Sequence, residues 1–450
     1  MRWRLVGVHL AVAALLVVGV AALAAAGGTT VRMVYWPGSE SDAMQKVVDW
    51  WNANRAASEG FRVEMVLFSR EGFWERQAAI LAARSPEVDL IFTATYIIGR
   101  HAPGLLPLEP LFEREGVGEL DIFMDVARDS LKIGGQQYAI PLDISVHFLY
   151  YRRDLIDRLL TDPGWQKTYT QLATRYLGKA LSPKRPETWT WDDFMATSLF
   201  FTRSVNPASP TRYGTALQAK NLIYNVMIWN DVLWSLGGRW FDQQGAWALD
   251  PAVTRKALDV YIDLMRLGAS PATASTYEYP ETNEAFRTGS VALILQWSAA
   301  YHELTDPQAS PLVHDKVGIA PIPGPKPSSH VHSLGVGVNA ASRNLSAATR
   351  WLGFLASEPA MRMYAQAGGI PPVSSVLLDP QIVARRPEFP LTAQHVERYG
   401  FVETTDPEFV PILEVLAKHF SAAWALQKDP DRAIADANQE VRALLAARRR

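Results

Sequence analysis

The segment Gly135–Arg152, which reads GQQYAIPLDISVHFLYYR, decides the fold. It combines a glycine turn, a short apolar strand, Pro141 and a second apolar strand. Proline has no backbone N–H to donate, and a proline between two strands marks a place where the backbone leaves one sheet and enters another. The segment therefore predicts two lobes that are joined by an extended crossover.

The composition of the whole chain fits this architecture and argues against some classes of protein. A length of 450 residues exceeds one ordinary domain, and 48% hydrophobic with 20% charged residues is typical of globular proteins. The formal net charge of −2 argues against nucleic acid as a partner, because basic patches supply most of the affinity for phosphate backbones. The 15 tryptophans matter because their flat rings can stack on sugar rings.

The N-terminus has the pattern of an export signal. Arg2 and Arg4 precede the apolar run Leu5–Leu23, which ends in small residues around Ala24. We predict a signal peptide over residues 1–26, with an uncleaved membrane anchor as the alternative, and a periplasmic or other extracytoplasmic location. The chain has no cysteine, which removes disulfides, Cys-ligated metals and the acceptor of a bacterial lipoprotein anchor, so we expect no lipidation.

The N-terminal part of the body alternates strands and helices. Strands are predicted at Val31–Trp36, Phe61–Leu67 and Val88–Phe92, with amphipathic helices between them. This β-α-β-α-β order predicts a parallel sheet that has helices on both faces. Ligands of such sheets bind at the carboxyl ends of the strands, which places Trp36–Glu40 and Thr93–Tyr96 at a ligand-facing edge.

Enzyme and cofactor motifs are missing from the sequence. It contains no GxSxG, HExxH, GxGxxG or P-loop, so we expect no catalytic residue, no cofactor and no metal. His330 and His332 stand two apart in a segment rich in proline and serine, which predicts a solvated loop rather than a metal site. A secreted glycoside hydrolase stays an alternative, because its chemistry needs two opposed carboxylates and the sequence offers Glu40, Asp143, Glu278 and Glu281.

Several short motifs follow one another in a characteristic order. Besides the crossover segment, they are Asp89–Phe92 with Gly104–Leu108, Pro186–Phe194 (PETWTWDDF), Glu284–Leu293 (EAFRTGSVAL), Gly335–Asn339 (GVGVN) and Gly368–Pro372 (GGIPP). Each is weak alone, but their order, spacing and coupling to an export signal resemble the extracellular solute-binding proteins, family 1, of sugar ABC importers. This maltose-binding-protein-like resemblance covers essentially the whole mature chain. Residues 159–188 are longer than the family's usual connection, so no role is carried over to them.

The resemblance implies an α/β fold of the two-lobe periplasmic-binding-protein type (type II-like), with hinge crossover strands. Lobe one would hold 31–142 plus 335–398, and lobe two 145–333 plus 400–450. The protein would then be a monomeric, non-enzymatic receptor that binds a mono- or oligosaccharide between the lobes and delivers it to ABC permease subunits. A polyol ester such as glycerol-3-phosphate is an alternative ligand, although it would need clustered arginine or lysine residues.

The resemblance also marks positions for ligand contact. Aromatic planes cover the apolar faces of a sugar, and carboxylates or amides pair with its hydroxyls. The matching positions are Trp36, Glu40, Tyr96, Asp143, His147, Asn225, Trp229, Trp297 and Gly335. Packing remains an open alternative for the tryptophans and for His147, and Glu40 could instead complement the adjacent helix N-terminus.

Overall fold

The structure is a computed structural model that describes residues 28–118, 120–405 and 407–448. The predicted signal peptide lies outside these residues. None of the helices in the described ranges is both long and apolar enough to cross a membrane.

The strands of the described chain are short, and most of them are buried. In chain order they are β1 (Thr29–Tyr35), β2 (Phe61–Leu67), β3 (Leu90–Ala94), β4 (Lys132–Ile133), β5 (Gln136–Gln137), β6 (Ile140–Ser145), β7 (His147–Arg152), β8 (Tyr213–Thr215), β9 (Val291–Trp297), β10 (Val317–Ala320), β11 (Ser329–His330), β12 (His332–Val338) and β13 (Gly400–Phe401).

Helices connect most of these strands and close the chain. They are α1 (Ser39–Asn54), α2 (Ala56–Glu59), α3 (Phe73–Ala82), α4 (Ile98–His101), α5 (Leu108–Glu115), α6 (Asp125–Asp129), α7 (Arg153–Thr161), α8 (Pro163–Leu177), α9 (Trp191–Phe200), α10 (Ile223–Ser235), α11 (Pro251–Arg266), α12 (Tyr279–Arg287), α13 (Ala300–Thr305), α14 (Leu345–Leu355), α15 (Glu358–Ala367), α16 (Ser374–Leu377), α17 (Pro380–Val383), α18 (Phe389–Gln394), α19 (Phe409–Trp424) and α20 (Pro430–Arg448).

The chain forms two compact units. The first comprises the described residues of Met1–Phe92, Gly104–Glu119 and Val336–Gly369, and the second those of Thr93–Pro103, Leu120–Gly335 and Ile370–Arg450. This division differs from the lobe boundaries predicted from sequence. A compact unit need not coincide with a body that moves when ligand binds, so 31–142 with 335–398 and 145–333 with 400–450 stay a prediction.

The first unit is built on a parallel sheet. β1 pairs in parallel with β2 over seven residues and with β3 at Met33 and Leu90. α1 follows β1, and its Asn52 side chain bonds both the N–H and the carbonyl of Val63 in β2, at 2.9 and 2.8 Å. The predicted β-α-β-α-β arrangement with parallel strands is confirmed.

The second unit contains a four-stranded mixed sheet in the order β10-β7-β9-β8. β7 is antiparallel to both β9 and β10, whereas β8 runs parallel to β9. All seven residues of β9, Val291–Trp297, are buried. A strand that is buried along its whole length indicates that both faces of the sheet are covered at this position.

The deciding segment forms three strands in the second unit, β5, β6 and β7. The turn at Gly134 and Gly135 has positive φ values of 58° and 84°, and it joins β4 to β5 as a hairpin. Pro141 lies inside β6 rather than between strands, and the break before β7 falls on Val146. Proline is compatible with a strand position whose N–H is not needed for pairing.

The insertion at residues 159–188 is mainly helical. Asp162 caps α8 by accepting the N–H groups of Gly164 and Trp165 at 2.9 and 3.2 Å, with Pro163 in the first turn. Gly178, at φ 67°, ends this helix in the left-handed conformation. Its length and caps therefore make the insertion an ordered element of the second unit.

Candidate ligand-binding site

Three histidines surround the indole of Trp297 in the second unit. The ring centroids of His147, His332 and His330 lie 4.1, 5.4 and 6.2 Å from that of Trp297. All three imidazole planes are steeply inclined to the indole, by 75°, 62° and 86° respectively. Trp297 is largely buried, with 8% of the residue's surface exposed.

Strand pairing places the first of these histidines. His147 begins β7 and stands directly opposite Trp297, the last residue of β9. Opposite residues of an antiparallel pair have side chains on one face of the sheet and within contact distance. The end of β9 is held by the Ser298 N–H, which donates to Val146 O at 2.7 Å, and by the Tyr150 hydroxyl, which donates to Trp297 O at 3.0 Å.

His330 and His332 do not form the solvated loop that the sequence predicts, and that prediction is wrong. β11 pairs in parallel with β13, so that His330 stands beside Phe401, and the Val331 N–H donates to Phe401 O at 3.1 Å. Residues two apart on extended backbone share a face, which turns both imidazoles to the same side. His330 is fully buried, and His332 keeps some accessible surface.

A buried carboxylate connects two of these segments. Asp231 on α10 lies with its Oδ2 2.7 Å from His147 Nδ1, and its Oδ1 accepts the backbone N–H of His330 at 2.9 Å. Sequence reasoning missed Asp231. The available signal was an acid within the otherwise apolar run Ile223–Ser235, because a carboxylate inside an apolar helix needs a partner.

Burial determines the charge of this cluster. It lowers the pKa of His147 to about 3 and, with a smaller contribution from His147, that of His332 to about 3. The pKa of His330 also lies well below its usual range, mainly because of burial and secondarily because of its two histidine neighbours. Burial raises the pKa of Asp231, against the lowering effect of the His330 N–H. The three imidazoles are therefore neutral at pH 7.

Tyr96 completes the aromatic surroundings. Its ring centroid lies 5.1 Å from that of His332 and 6.1 Å from that of Tyr224. Tyr96 follows β3 at the carboxyl end of that strand, where the sequence placed it. Of the nine predicted site residues, the structure thus brings Tyr96, His147 and Trp297 into one cluster.

Asp143 and Gly335 have structural contacts around β6. Asp143 Oδ2 accepts the Ile370 N–H at 2.8 Å, and Ile370 O accepts the Ile144 N–H at 2.9 Å, which ties β6 to the segment after α15. A Cβ on Gly335 would stand 2.6 Å from Ile140 O, so this position needs glycine for close backbone approach. Ligand contact by Asp143 or Gly335 stays a prediction.

Asn225 and Trp229 lie on α10 and are engaged by backbone groups. The Asn225 amide donates to Lys220 O and Tyr277 O at 3.1 and 2.9 Å. Trp229 is fully buried and donates from its indole N–H to Ala257 O at 3.1 Å. These contacts favour packing roles, and ligand contact by either residue likewise stays a prediction.

Trp36 and Glu40 belong to the first unit. The Trp36 ring lies 4.9 Å from Phe92 and 5.1 Å from Phe73, and the Arg70 guanidinium carbon stands 4.7 Å from its centre. Glu40, in the first turn of α1, has its Oε2 3.8 Å from Arg70 Nη2. A ligand role for Trp36 and Glu40 stays a prediction.

Comparison with known proteins identifies the family. The family model of bacterial extracellular solute-binding proteins matches residues 69–362. The chain belongs to this family.

The similar solved structures show the two-lobe fold expected of a solute-binding protein. Maltose-bound MalE3 of T. maritima has a TM-score of 0.75 at 21% identity, with 92% of this chain and 100% of that chain covered. An ABC transporter solute-binding protein from Agrobacterium vitis, with bound D-mannitol, has a TM-score of 0.71 at 22% identity over 93% and 99% of the chains. The predicted α/β periplasmic-binding-protein fold is confirmed.

Two curated relatives match a smaller part of the chain. The "Probable amino-acid ABC transporter periplasmic-binding protein y4oP" of Sinorhizobium fredii is 28% identical over 265 residues, which span 58% of each chain. The mannitol-binding protein of Pseudomonas aeruginosa is 25% identical over 353 residues, which span 74% of each chain.

The sequence of this solute-binding protein also offered Glu278 and Glu281 for glycoside hydrolysis. Both carboxylates have a structural role instead. Glu278 and Glu281 form a capping box at the start of α12, in which the Glu278 N–H donates to Glu281 Oε2 at 3.0 Å. In the described part of the chain, no group of three or more His, Asp or Glu side chains could hold a metal ion.

Proposed function

We propose that this solute-binding protein is the extracytoplasmic receptor of an ABC importer and that its ligand is a neutral carbohydrate, either a sugar or a polyol. The observation that carries the proposal is Trp297 at a strand end, 8% exposed and surrounded by three neutral imidazoles, one of which, that of His332, packs against the ring of Tyr96. An aromatic plane matches the apolar C–H face of a carbohydrate, and neutral polar side chains match its hydroxyls.

The relatives support a carbohydrate ligand more than any other class. One curated relative is named as a mannitol-binding protein, and the similar structures include complexes with maltose, D-mannitol and ribitol. The relative named for amino-acid transport is the exception, so amino acids belong in the test.

The charges of the site weigh against ionic ligands. A phosphate ester such as glycerol-3-phosphate needs arginine or lysine donors. Within the described ranges, no arginine or lysine forms an ion pair with Asp231, and no guanidinium stacks on Trp297. An amino acid would in addition need a carboxylate for its ammonium group, whereas Asp231 is occupied by His147 and His330.

The remaining parts of the proposal follow from the family role. The receptor carries out no chemistry of its own and hands its ligand to membrane permease subunits. We propose that it acts as a monomer outside the cytoplasmic membrane, after export directed by its N-terminus and without lipidation.

A melting screen tests this function. Purified protein without residues 1–26 is heated with maltose, D-mannitol, ribitol, glycerol-3-phosphate and a mixture of amino acids, and each incubation with oligosaccharide is assayed for product. A ligand at about 100 times its Kd stabilises the folded state by about 2.7 kcal/mol, which raises the melting temperature measurably. A shift with a sugar or polyol and no product is expected. A shift only with amino acids or the phosphate ester, or turnover of any glycan, would contradict the proposal.

A further inference from the structure

The ring nitrogens around Trp297 are the feature that packing does not explain. His147 Nε2, His332 Nε2 and both ring nitrogens of His330 are buried and have no hydrogen-bond partner among the residues that the structure describes. Buried polar atoms are nearly always paired, because an unpaired one loses its hydration without compensation. Three such side chains around one indole therefore point to a bound molecule as the partner.

These side chains are held in place from behind. Asp231 fixes the ring of His147 through Nδ1, and it fixes the backbone of His330 through the N–H. Whichever of Asp231 Oδ2 and His147 Nδ1 carries the shared proton, His147 Nε2 stays on the opposite side of the ring. The ring directions are thus set before any ligand binds, which reduces the entropic cost of binding.

The chemistry of a neutral imidazole selects the partner. Its two nitrogens comprise one donor and one acceptor, and a hydroxyl group likewise donates one hydrogen bond and accepts others. A carboxylate or phosphate only accepts and an ammonium only donates, so neither would satisfy three neutral imidazoles. Burial keeps the pKa values of His147 and His332 at about 3, far below neutral pH.

We infer that His332 contacts the hydroxyl groups of a neutral polyhydroxyl ligand stacked on Trp297, and that it determines specificity for the hydroxyl pattern. His332 is assigned the contact because it alone of the three histidine residues is not fully buried. His147 and His330 lie next to it around the same indole, and Asp231 holds the ring of the first and the backbone of the second. This inference rests on the proposed function and adds the group that distinguishes one carbohydrate from another.

The test compares hydroxyl discrimination in two variants. His332→Phe keeps the ring shape without its nitrogens, and His332→Gln keeps a donor and an acceptor. His302→Phe, at an exposed histidine of α13, is the matched control. Binding of D-mannitol, of maltose and of the monodeoxy derivatives of each is measured by titration calorimetry in EDTA, after circular dichroism has confirmed folding.

The wild-type protein should bind one deoxy derivative about tenfold or more weakly than its parent sugar or polyol. The polar group that bonds the hydroxyl in the parent complex is then left without a hydrogen-bond partner. His332→Phe should lose about tenfold or more in affinity for the parent and bind that derivative almost as well as the parent. His332→Gln should retain part of the discrimination, and His302→Phe all of it. A purely structural role would weaken every ligand equally and leave the ratio unchanged.

The failures of the two proposals differ. If wild-type protein binds mannitol or maltose and His332→Phe keeps both the affinity and the discrimination, the inference about His332 is wrong and the proposed function stands. If wild-type protein binds none of the sugars and polyols of the melting screen, nor any of these derivatives, the proposed function is wrong and the inference falls with it.

Discussion

Trp36 and Trp297 occupy equivalent places in the sequence, one residue past β1 and at the end of β9, yet their surroundings differ. Trp36 packs among Phe73, Trp74 and Phe92, with Arg70 over its face. Trp297 is surrounded by histidines with unpaired nitrogens. The aromatic packing of Trp36 favours a role in stability. The neutral polar surroundings of Trp297 favour selective binding of a ligand. A strand-end tryptophan is therefore informative only together with its neighbours in space.

Low pH should produce the largest difference in stability between the second unit, which contains Trp297, and the first unit, which contains Trp36. Five buried histidines of the second unit have lowered pKa values: about 3 for His101, His147 and His332, about 4 for His395, and well below the usual range for His330. Their unfolded pKa is near 6.5, so below that pH the unfolded chain binds more protons than the folded one. The stability that they contribute is fully present above pH 6.5 and is lost as the pH falls from 6.5 toward 3. For each histidine, the free energy of unfolding falls by up to about 1.4 kcal/mol per pH unit below 6.5. The five histidines together account for up to about 7 kcal/mol per pH unit.

Hydrogen exchange at pH 7, 6 and 5 would locate this loss. The described part of the first unit contains no histidine, so its amides should open less than those of β7 and β9 over this interval. Measurement above pH 5 keeps most carboxylates ionised and isolates the histidine effect. Equal opening of both units, or opening of β1 at a higher pH than β7 and β9, would contradict the assignment of the acid sensitivity to these histidines.

Truncation of Trp36 should mainly lower stability. Trp36→Ala removes a ring that is 7% exposed, and the cavity should cost about 3–5 kcal/mol in the free energy of unfolding, measured by urea titration. Trp50, which is 39% exposed and stacks on Phe354 at 5.6 Å, provides the control. Trp50→Ala should cost less than about 1 kcal/mol. A comparable cost for both would mean that the aromatic cluster around Trp36 does not stabilise the first unit.

Truncation of Trp297 should mainly lower affinity. Trp297→Ala removes the stacking plane, and affinity for the carbohydrate that shifts the melt should fall about 10- to 100-fold, or about 1.4–2.7 kcal/mol. Trp297→Phe should lose less, because a smaller plane remains. The comparison is the affinity of folded Trp36→Ala for the same carbohydrate, measured by calorimetry. We expect this affinity to fall by less than about threefold. Equal losses for the two tryptophans would place both at the ligand.

The smallest effect concerns the cation above Trp36. Arg70→Met removes the guanidinium, its bond to Pro37 O at 3.0 Å and its contact with Glu40, and it should destabilise the protein by about 0.5–1 kcal/mol. Arg62→Met, on the exposed side of β2, should have less effect. If Arg70→Met changes the affinity for carbohydrate and Arg62→Met does not, Trp36 and Glu40 belong to the binding site rather than to a region that serves stability.

The sequence predicted what depends on local pattern. The parallel β1-β2-β3 arrangement follows from strand and helix periodicity. Tyr96 was predicted at the ligand-facing edge because ligands of such sheets bind at the carboxyl ends of the strands, whereas Trp297 was marked by the family resemblance. These features need only neighbours within a few positions along the chain.

The histidine cluster could not be predicted in this way because its members are distant in the chain. His147, Asp231 and His330 come together only after β7, α10 and β11 have packed, and β11 is a strand only because β13 pairs with it. The surrounding prolines and serines correctly suggest a turn-rich segment but carry no information on that pairing. The spacing of His330 and His332 around the buried Val331 was the only local hint of extended backbone.

The two oxygens of Asp231 have an evolutionary consequence. Because one oxygen contacts the side chain at position 147 and the other accepts a backbone N–H at position 330, replacement of Asp231 removes two contacts at once. Replacement of His147 removes only one. Among descendants of this sequence, position 147 should therefore diversify first, toward other hydrogen-bonding side chains. An apolar residue at 231 should appear only in lineages that have already replaced His147.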